Sequence, residues 1–305
     1  MKKKNWFYLI LLLTFVALLW GVVYYVRPLY QMYRALKTPP PATAPVSPAP
    51  EETKLLQNRY YNFLLYGVDA GEWVKGSYRP GKGRADTIVL LQLDLEERTV
   101  AMLSIPRDTL VEIPGYAGTD KINHAYAFGG SELLLGTVEQ FTGIPVDYYL
   151  EVNYTLFRDV VDALGGLEFE VDRTIKARGL TLEPGLQHLD GDQAFALVSF
   201  RYEPMGDIAR VKRQQRFLLA LARQVKERSV KELLPVFYAG WKHVKTNLTP
   251  EEGAELVVTL NGLQIAAVHT EVVPGWFYHR NGVSYWRADA QEMAALLEEL
   301  FYLPS

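Results

Sequence analysis

One predicted hairpin brings an acid and an arginine to the same place. Two apolar, β-branched runs flank a polar turn within Gly83–Asp108, which is the pattern of a β-hairpin. If Glu96 and Glu97 form the turn, Asp86 lies directly opposite Arg107 on one face of the ladder. Both runs are apolar on both faces, so the hairpin is expected inside a larger sheet. The pair predicts either the floor of a polar site or an ion pair that closes a strand end.

A second group of cationic residues recurs at helical spacing. Arg210, Arg213 and Phe217 stand at positions i, i+3 and i+7, so on a helix they share one face. Buried arginines need an anion to neutralise them, and the first turns of a helix already favour anions through their free backbone N–H groups. The alternative is that these arginines extend to solvent or pair with Glu203 and Asp207.

Further arginines and acids suggest which anion this is. Arg84, Arg107 and Arg201 carry guanidinium groups, whose planar fork binds two phosphate oxygens at once and keeps its charge when desolvated. Asp69 and Asp86 stand at the ends of predicted strands, and two carboxylates among arginines suggest a hard divalent cation, most simply Mg²⁺, shared with phosphate oxygens. Together these residues predict a pyrophosphate site.

Composition excludes several other chemistries. The 305-residue chain has no cysteine and a net charge of −3, so it has no disulfide framework, no thiol nucleophile and no general basic field for nucleic acid. It contains no G-x-S-x-G elbow and no H-E-x-x-H zinc motif. The segment Gly76–Lys82 begins like a P-loop, but Gly83 stands where Ser or Thr is required and a strand follows.

The N-terminus indicates a membrane anchor. Lys2–Lys4 precede the uncharged apolar run Trp6–Val26, which is long enough to span a bilayer and leaves the lysines in the cytoplasm. A cleaved signal peptide is the alternative, but no small-x-small cleavage site follows the run. The Pro-rich segment Thr38–Pro50 predicts an extended spacer. The expected organisation is a cytoplasmic stub (1–5), a transmembrane helix (6–26), a stem and linker (27–54) and an extracytoplasmic domain (55–305).

The rest of the chain predicts one α/β domain. An apolar strand ends at Asp69, and a glycine-rich loop is expected over Ala70–Gly83. A second loop is expected over Asp120–Gly130, with a helix from Ser131 to Phe141; Ser131 is a candidate cap of that helix, but Gly129 and Gly130 could equally end a preceding helix. Strands and helices then alternate irregularly, which predicts an α/β/α sandwich with a central mixed sheet. Further elements are expected at Val146–Val152, Asn153–Leu164, Leu167–Val171, Asp190–Phe200, Asp207–Arg228, Pro250–Leu260, Leu263–Val273, Val283–Trp286 and Asp289–Leu300. Asn153, Asp190 and Asp207 are expected at the starts of their helices, and Thr249 with Glu252 predicts a capping box.

Seven segments, in this order, resemble the LytR–CpsA–Psr family over about residues 60–225. They are LLYGVD (Leu64–Asp69), GRADT (Gly83–Thr87), SIPRD (Ser104–Asp108), DKINHAYAFGG (Asp120–Gly130), VDALGG (Val161–Gly166), LDGDQAFA (Leu189–Ala196) and R-x-E-P-x-G-D-I-x-R-x-x-R-Q-Q (Arg201–Gln215). Two positions depart from the family pattern, because Ala70 and Ser199 stand where many members carry arginine.

The resemblance implies a membrane-anchored transferase that works outside the cell. Such enzymes move a glycopolymer, for example wall teichoic acid or capsule, from a polyprenyl-pyrophosphate carrier onto peptidoglycan, and they need no nucleic acid. It implies an apolar tunnel for the prenyl chain, with Mg²⁺ (or Mn²⁺) held by Asp69 and Asp86. It also implies that Arg84, Arg107, Arg201 and Arg210 grip the pyrophosphate, with support from Gln193 and Arg213. The expected catalytic residues are Arg107, Asp86 and Asp108, the two acids being candidates for the general base.

Several alternatives remain open at this stage. A peptidoglycan hydroxyl would attack the phosphorus that carries the polymer and expel lipid monophosphate, or else attack the anomeric carbon and expel the whole lipid pyrophosphate. The protein could instead be a non-catalytic scaffold that binds lipid-linked polymer, or a polyprenyl pyrophosphatase. A transcriptional attenuator is disfavoured, because a three-lysine cytoplasmic stub offers nothing to contact DNA.

Overall fold

A six-stranded mixed sheet forms the centre of the computed structural model, within a compact unit spanning Thr53–Ser305. The structure describes residues 58–74, 77–201, 206–241, 243–263 and 265–302, with the backbone alone for 69–74, 77–82 and 206. The predicted stub, transmembrane helix and Pro-rich linker lie outside the described residues. Among the helices that are described, none is both long enough and apolar enough to cross a bilayer.

The described strands and helices are as follows. The strands are β1 (Tyr60–Val74), β2 (Ser77–Asp94), β3 (Thr99–Ser104), β4 (Leu110–Glu112), β5 (Thr119–Lys121), β6 (Tyr148–Val152), β7 (Leu167–Val171), β8 (Ile175–Ala177), β9 (Leu180–Leu182), β10 (Gly185–Leu189), β11 (Lys245–Thr246), β12 (Ala267–Val272), β13 (Gly275–Arg280) and β14 (Val283–Ala288). The helices are α1 (Ile122–Thr142), α2 (Tyr154–Ala163), α3 (Gly191–Ser199), α4 (Gly206–Lys226), α5 (Val230–Trp241), α6 (Pro250–Gly262) and α7 (Ala290–Leu300).

The predicted hairpin is confirmed, together with its register. β2 pairs antiparallel with β3, with Val89 opposite Ser104 and Asp94 opposite Thr99, as a turn at Glu96 and Glu97 requires. The order of the central sheet is β11-β6-β1-β2-β3-β12, with parallel pairs β1–β6 and β3–β12. Both hairpin strands therefore have a neighbour on each side, as their apolar faces predicted.

Helices cover both faces of this sheet. Leu64, Leu90 and Leu103 are fully buried on one face in a core that includes Leu134 of α1 and Leu297 of α7. On the other face a smaller cluster, Tyr61, Phe63 and Leu93, packs with partly buried residues that include Leu256 of α6. A separate core joins α2, α3 and α4 to the small sheet of β7 and β10. The α/β class with a central mixed sheet is confirmed.

Two predicted loops are replaced by regular structure. The expected loop over Ala70–Gly83 is wrong for most of its length, because β1 continues to Val74 and pairs with a β2 that starts at Ser77. Register shifts at Gly67/Val68 and Asp69/Gly71 let this long hairpin absorb its glycines without losing its pairing. The expected loop over Asp120–Gly130 is also wrong from Ile122 onward.

The second loop is a helix with a sharp kink. α1 runs from Ile122 to Thr142, and its non-helical residues are Gly129 (φ −140°) and Gly130 (φ 67°, ψ −152°). Only glycine adopts the Gly130 conformation easily, so a pair of glycines that predicts a helix boundary produces a bend here. Neither α5 nor β13 was predicted from the sequence, nor were the short strands β4, β8, β9, β10 and β11. The predicted capping box at Thr249 and the predicted Asn153 cap of α2 are confirmed.

Candidate active site

Four segments that are distant in sequence converge near the C-terminal end of β3, an inner strand of the central sheet. Asp86 lies on β2 at a register shift of the β1–β2 ladder, three residues before the segment that pairs with β3, and Arg107 lies in the turn after β3. The backbone N–H of Asn123, at the start of α1, donates to the Arg107 carbonyl over 3.2 Å. Arg201 follows α3, and Arg210 lies in the first turns of α4. The chain therefore supplies Asp86 from a strand and its cations from loops and a helix start.

Asp86 is the anion around which these cations gather. Its Oδ1 is 2.8 Å from Arg107 Nη1 and its Oδ2 is 2.6 Å from Arg201 Nη2. Its backbone carbonyl accepts a hydrogen bond from Arg210 Nη2 at 3.1 Å. Three arginines thus contact one residue, and the pair of Asp86 and Arg107 is present although β3 ends three residues before Arg107.

A second acid, Asp207, lies inside the cluster. Its Oδ1 is 2.7 Å from Arg210 Nη2 and 3.3 Å from Arg107 Nε. The Arg210 side chain is only 2% exposed and that of Asp207 is 13% exposed. From the sequence, Asp207 was predicted only as a helix cap or as a partner for the helix arginines. Its i, i+3 spacing to Arg210 was the signal that could have placed it in the site. Its contact with Arg107 depends on the fold.

Burial and charge pull the pKa values of these groups apart. Burial alone would raise the pKa of the Asp86 carboxyl, but Arg107, Arg201 and Arg210 outweigh it and hold that pKa below its usual value. For Asp207 burial prevails over the same kind of neighbours, and the pKa is raised. Burial also lowers the pKa of the Arg210 guanidinium to about 10. Asp86 is therefore firmly ionised, whereas Asp207 and Arg210 are charged at a cost.

The cluster is also short of hydrogen-bond partners. Arg210 Nε and Asp207 Oδ2 are buried, and neither has a hydrogen-bond partner within the described parts of the chain. Three guanidinium groups against two carboxylates leave one net positive charge in a partly desolvated place. A buried donor without an acceptor is costly. A phosphate oxygen would supply both the missing acceptor and the missing negative charge.

Other predicted site residues lie around this cluster. Asp108 pairs with Lys121, its Oδ1 lying 2.9 Å from Lys121 Nζ. The backbone of Asp69 lies opposite Arg84 in the β1–β2 ladder, so Asp69 and Asp86 stand on adjacent strands near one another in the register. Arg84 is exposed, and the side chain of Asp69 lies outside the described residues.

The acids present can be compared with the needs of a divalent cation. In the described part of the chain no three His, Cys, Asp or Glu side chains form a metal-binding group. Each oxygen of Asp86 receives one guanidinium, so each keeps a lone pair for a metal. Asp86 therefore fits a cation that takes most of its other ligands from phosphate and water, as Mg²⁺ does.

Arg213 and Gln193 have contacts within the protein. The Arg213 side chain is buried, and its guanidinium donates to the carbonyls of Leu197, at 2.8 Å from Nε, and of Phe200. Gln193 completes a capping box with Asp190, whose backbone N–H donates to its Oε1 over 3.0 Å. Both residues hold α3, the helix that Arg201 follows. Their predicted support of the pyrophosphate stays a prediction.

Comparison with known proteins now decides the family. A family model described as "LytR_cpsA_psr family" matches residues 31–301. The chain belongs to this family. Helices on both faces of a mixed sheet agree with that membership, as do the seven motifs of the sequence.

Among curated relatives, the chain is similar to a protein of Bacillus cereus named polyisoprenyl-teichoic acid–peptidoglycan teichoic acid transferase TagU. The two are 39% identical over 204 residues, which is 66% of this chain and 65% of the relative. A solved structure described as TagT bound to LIIa-WTA is 33% identical, with a TM-score of 0.67 over 79% of this chain and 89% of that one. Another contains YwtF (TagT) with bound octaprenyl pyrophosphate lipid; it is 31% identical, with a TM-score of 0.61 over the same shares.

Proposed function

We propose that the protein is a membrane-anchored transferase that moves a glycopolymer from a polyprenyl-pyrophosphate carrier onto peptidoglycan. One observation carries the proposal. Arg107, Arg201 and Arg210 converge on Asp86 and Asp207, and the group keeps a net positive charge around the buried Nε of Arg210, which has no hydrogen-bond partner among the described residues. A curated relative is named a teichoic acid transferase, and a similar solved structure contains an octaprenyl pyrophosphate lipid. Both support the same substrate class.

The proposed reaction is phosphoryl transfer. A hydroxyl of the peptidoglycan acceptor attacks the phosphorus that carries the glycopolymer, a new P–O bond forms, and the bond to the lipid phosphate breaks. Lipid monophosphate leaves, and the hydroxyl proton goes to a base. The guanidinium groups of Arg107, Arg201 and Arg210 stabilise the negative charge that develops on the phosphate oxygens.

The acids take different roles in this scheme. Asp86 has a lowered pKa and two arginine contacts, which suits a group that stays ionised and holds the arginines in place. Asp108 is more accessible and pairs with Lys121, so we assign it the proton of the acceptor hydroxyl. Asp207 keeps Arg107 and Arg210 oriented towards the phosphates.

We further propose that Mg²⁺ (or Mn²⁺) binds beside this cluster. Asp86 would hold it, with Asp69 from the neighbouring strand as a second ligand. When bound, the metal supplies charge stabilisation to the phosphate oxygens. With Arg84 at the exposed edge, a pyrophosphate between metal and arginines would bring the local charge close to neutral.

The proposed location is the outer face of the cell membrane. The lysines and the apolar run of the N-terminus support a single-pass anchor with its C-terminal domain outside. The prenyl chain would then stay close to the bilayer while its pyrophosphate reaches the arginines. The apolar tunnel that the family resemblance implies is part of this proposal.

Transfer of a labelled polymer from a synthetic polyprenyl-pyrophosphate donor to peptidoglycan fragments tests the proposal in the full-length protein. We expect Arg107→Ala and Asp86→Ala each to lower the rate at least about 100-fold, the scale of losing one preorganised donor to a transition-state anion. Arg216→Ala is the control, because Arg216 lies on the exposed side of α4, the helix that carries Arg210. Undiminished turnover in both site variants would refute the assignment, and release of lipid monophosphate without transfer would favour a pyrophosphatase.

A further inference from the structure

A groove with a cationic aromatic wall lies next to the proposed active site. The β13–β14 hairpin, α7 and the end of α1 enclose a volume of about 640 Å³, which is the size of a site for a small organic ligand. Leu110, Phe141 and Met293 provide an apolar floor, and Tyr278, Arg280 and Arg287 line the hairpin side. An apolar floor beside planar rings and guanidinium groups suits a ligand that has both apolar faces and negatively charged groups, rather than a purely hydrocarbon chain.

The pleat of the hairpin adds an exposed ring to this wall. Trp276 is paired with Arg287, and Tyr278 with Tyr285, so Trp276 and Tyr278 alternate onto the same face. The Arg287 guanidinium lies 5.3 Å from the Tyr278 ring centre. Trp276 is 48% exposed, so its ring is free to extend the wall beyond the groove.

The hairpin is tied directly to the reaction centre. The backbone N–H of Trp286 donates to the carbonyl of Asp108 over 2.8 Å, and Thr109 forms a parallel β-bridge with Trp286. Lys121, the partner of Asp108, lies 5.4 Å from the Tyr285 ring centre. The face of the hairpin that carries Tyr278 and Tyr285 is therefore linked through Lys121 to the residue to which we assign the acceptor proton.

We propose that this wall, Trp276, Tyr278, Arg280 and Arg287, binds the acceptor glycan. The inference rests on the proposed function, because peptidoglycan is the acceptor of that reaction. Sugar rings present C–H faces that pack on flat aromatic side chains, and peptidoglycan peptides carry carboxylates that pair with arginine. Arg280 is already bound to Thr119 through two hydrogen bonds, so Arg287 is the guanidinium that contacts the carboxylates and Arg280 fixes the wall.

Direct binding tests the inference without any donor or turnover. The full-length protein is titrated with soluble glycan–peptide fragments of peptidoglycan and with uncharged N-acetylglucosamine oligomers. We expect Trp276→Ala to weaken both ligands about 10-fold, as loss of a central aromatic contact does. Arg287→Gln should weaken only the carboxylate-bearing fragments, by about 2- to 5-fold and less at high salt. Trp276→Phe, which keeps a ring, should restore most of the affinity.

Phe277→Leu is the matched control. Phe277 is the next residue on the same strand and is 51% exposed, but it lies on the opposite face, against Trp286. We expect this variant to bind both ligands like the wild type. Equal affinities for wild type, Trp276→Ala and Arg287→Gln would overturn the inference. The inference would also be overturned if Trp276→Ala and Arg287→Gln lost binding of a polyprenyl phosphate probe and kept binding of glycan, since the groove would then hold lipid.

The outcome is separable from that of the proposed function. Glycan binding that depends on Trp276 in a protein without transferase activity would keep the inference and reject the reaction. Transfer that depends on Arg107, together with glycan binding that is insensitive to Trp276, would do the reverse.

Discussion

Asp86→Asn provides the sharpest test of the electrostatics at the site. The substitution keeps the size of the side chain but removes the charge that faces Arg107 at 2.8 Å and Arg201 at 2.6 Å. A charge-assisted hydrogen bond to a mostly buried guanidinium contributes about 1.5–3 kcal/mol, which applies to Arg107. Arg201 is half exposed, so its pair adds at most about 1 kcal/mol. We therefore expect the free energy of unfolding at pH 7 to fall by about 2–4 kcal/mol.

This loss is large enough for a thermal melt to resolve. For a domain of this length each kcal/mol corresponds to about 2–4 °C in Tm, so the variant should melt about 4–16 °C lower. Asp172→Asn is the control, since Asp172 pairs with Arg216 at 3.4 Å on the surface; we expect a change of less than about 1 kcal/mol. The readout is the circular dichroism melt of the full-length protein without ligand.

The pH dependence supplies a second, independent criterion. Because the folded-state pKa of Asp86 is lowered, its stabilisation is present above the ordinary carboxyl pKa and is lost as pH falls through the folded value. The gap in unfolding free energy between wild type and Asp86→Asn should therefore be constant above about pH 5 and narrow as the pH falls from about 4 to about 2. The reasoning is wrong if Asp86→Asn melts together with Asp172→Asn at pH 7, or if the gap stays constant over that range.

Three further predictions follow from the same contacts. Asp207→Asn should show the opposite trend. The folded-state pKa of Asp207 is raised, so the stability that its carboxyl contributes is present below the ordinary carboxyl pKa and is lost as pH rises. The wild type should therefore lose unfolding free energy relative to the variant between pH 4 and pH 7, and profiles of unfolding free energy against pH that run parallel would contradict this. Chelation of divalent cations should abolish transfer by the wild type, and added Mg²⁺ should restore it; full activity in chelator would exclude the metal. Gly191→Ala should destabilise the protein by about 1–3 kcal/mol, because a Cβ there would lie 2.5 Å from Arg158 Cγ and 2.6 Å from the Arg158 carbonyl oxygen; a melt like that of the wild type would show that α2 and α3 can separate freely.

Local pattern was sufficient for the elements whose signals are short-range. The β2–β3 register follows from a turn centred on Glu96 and Glu97, and it is confirmed. The caps at Asn153, Asp190 and Thr249 follow from side-chain oxygens that satisfy free N–H groups at helix starts. The loops predicted at the glycine-rich stretches were wrong because the local signal of glycine is ambiguous. Glycine permits a turn without requiring one, so β1 could extend past Gly71 and α1 could bend at Gly130 without ending.

The sequence by itself determined which residue types were available to the site: arginines at 107, 201 and 210, and acids at 86 and 207. Helical spacing also favoured burial of Arg210, because it puts Arg210 on the apolar stripe of α4, but it left open that this side chain would extend to solvent. Only the tertiary structure decided which charges meet. The contacts of Arg201 with Asp86 and of Arg107 with Asp207 join residues 115 and 100 positions apart. No local pattern encodes such pairs, since they depend on how α3, α4 and the central sheet pack together.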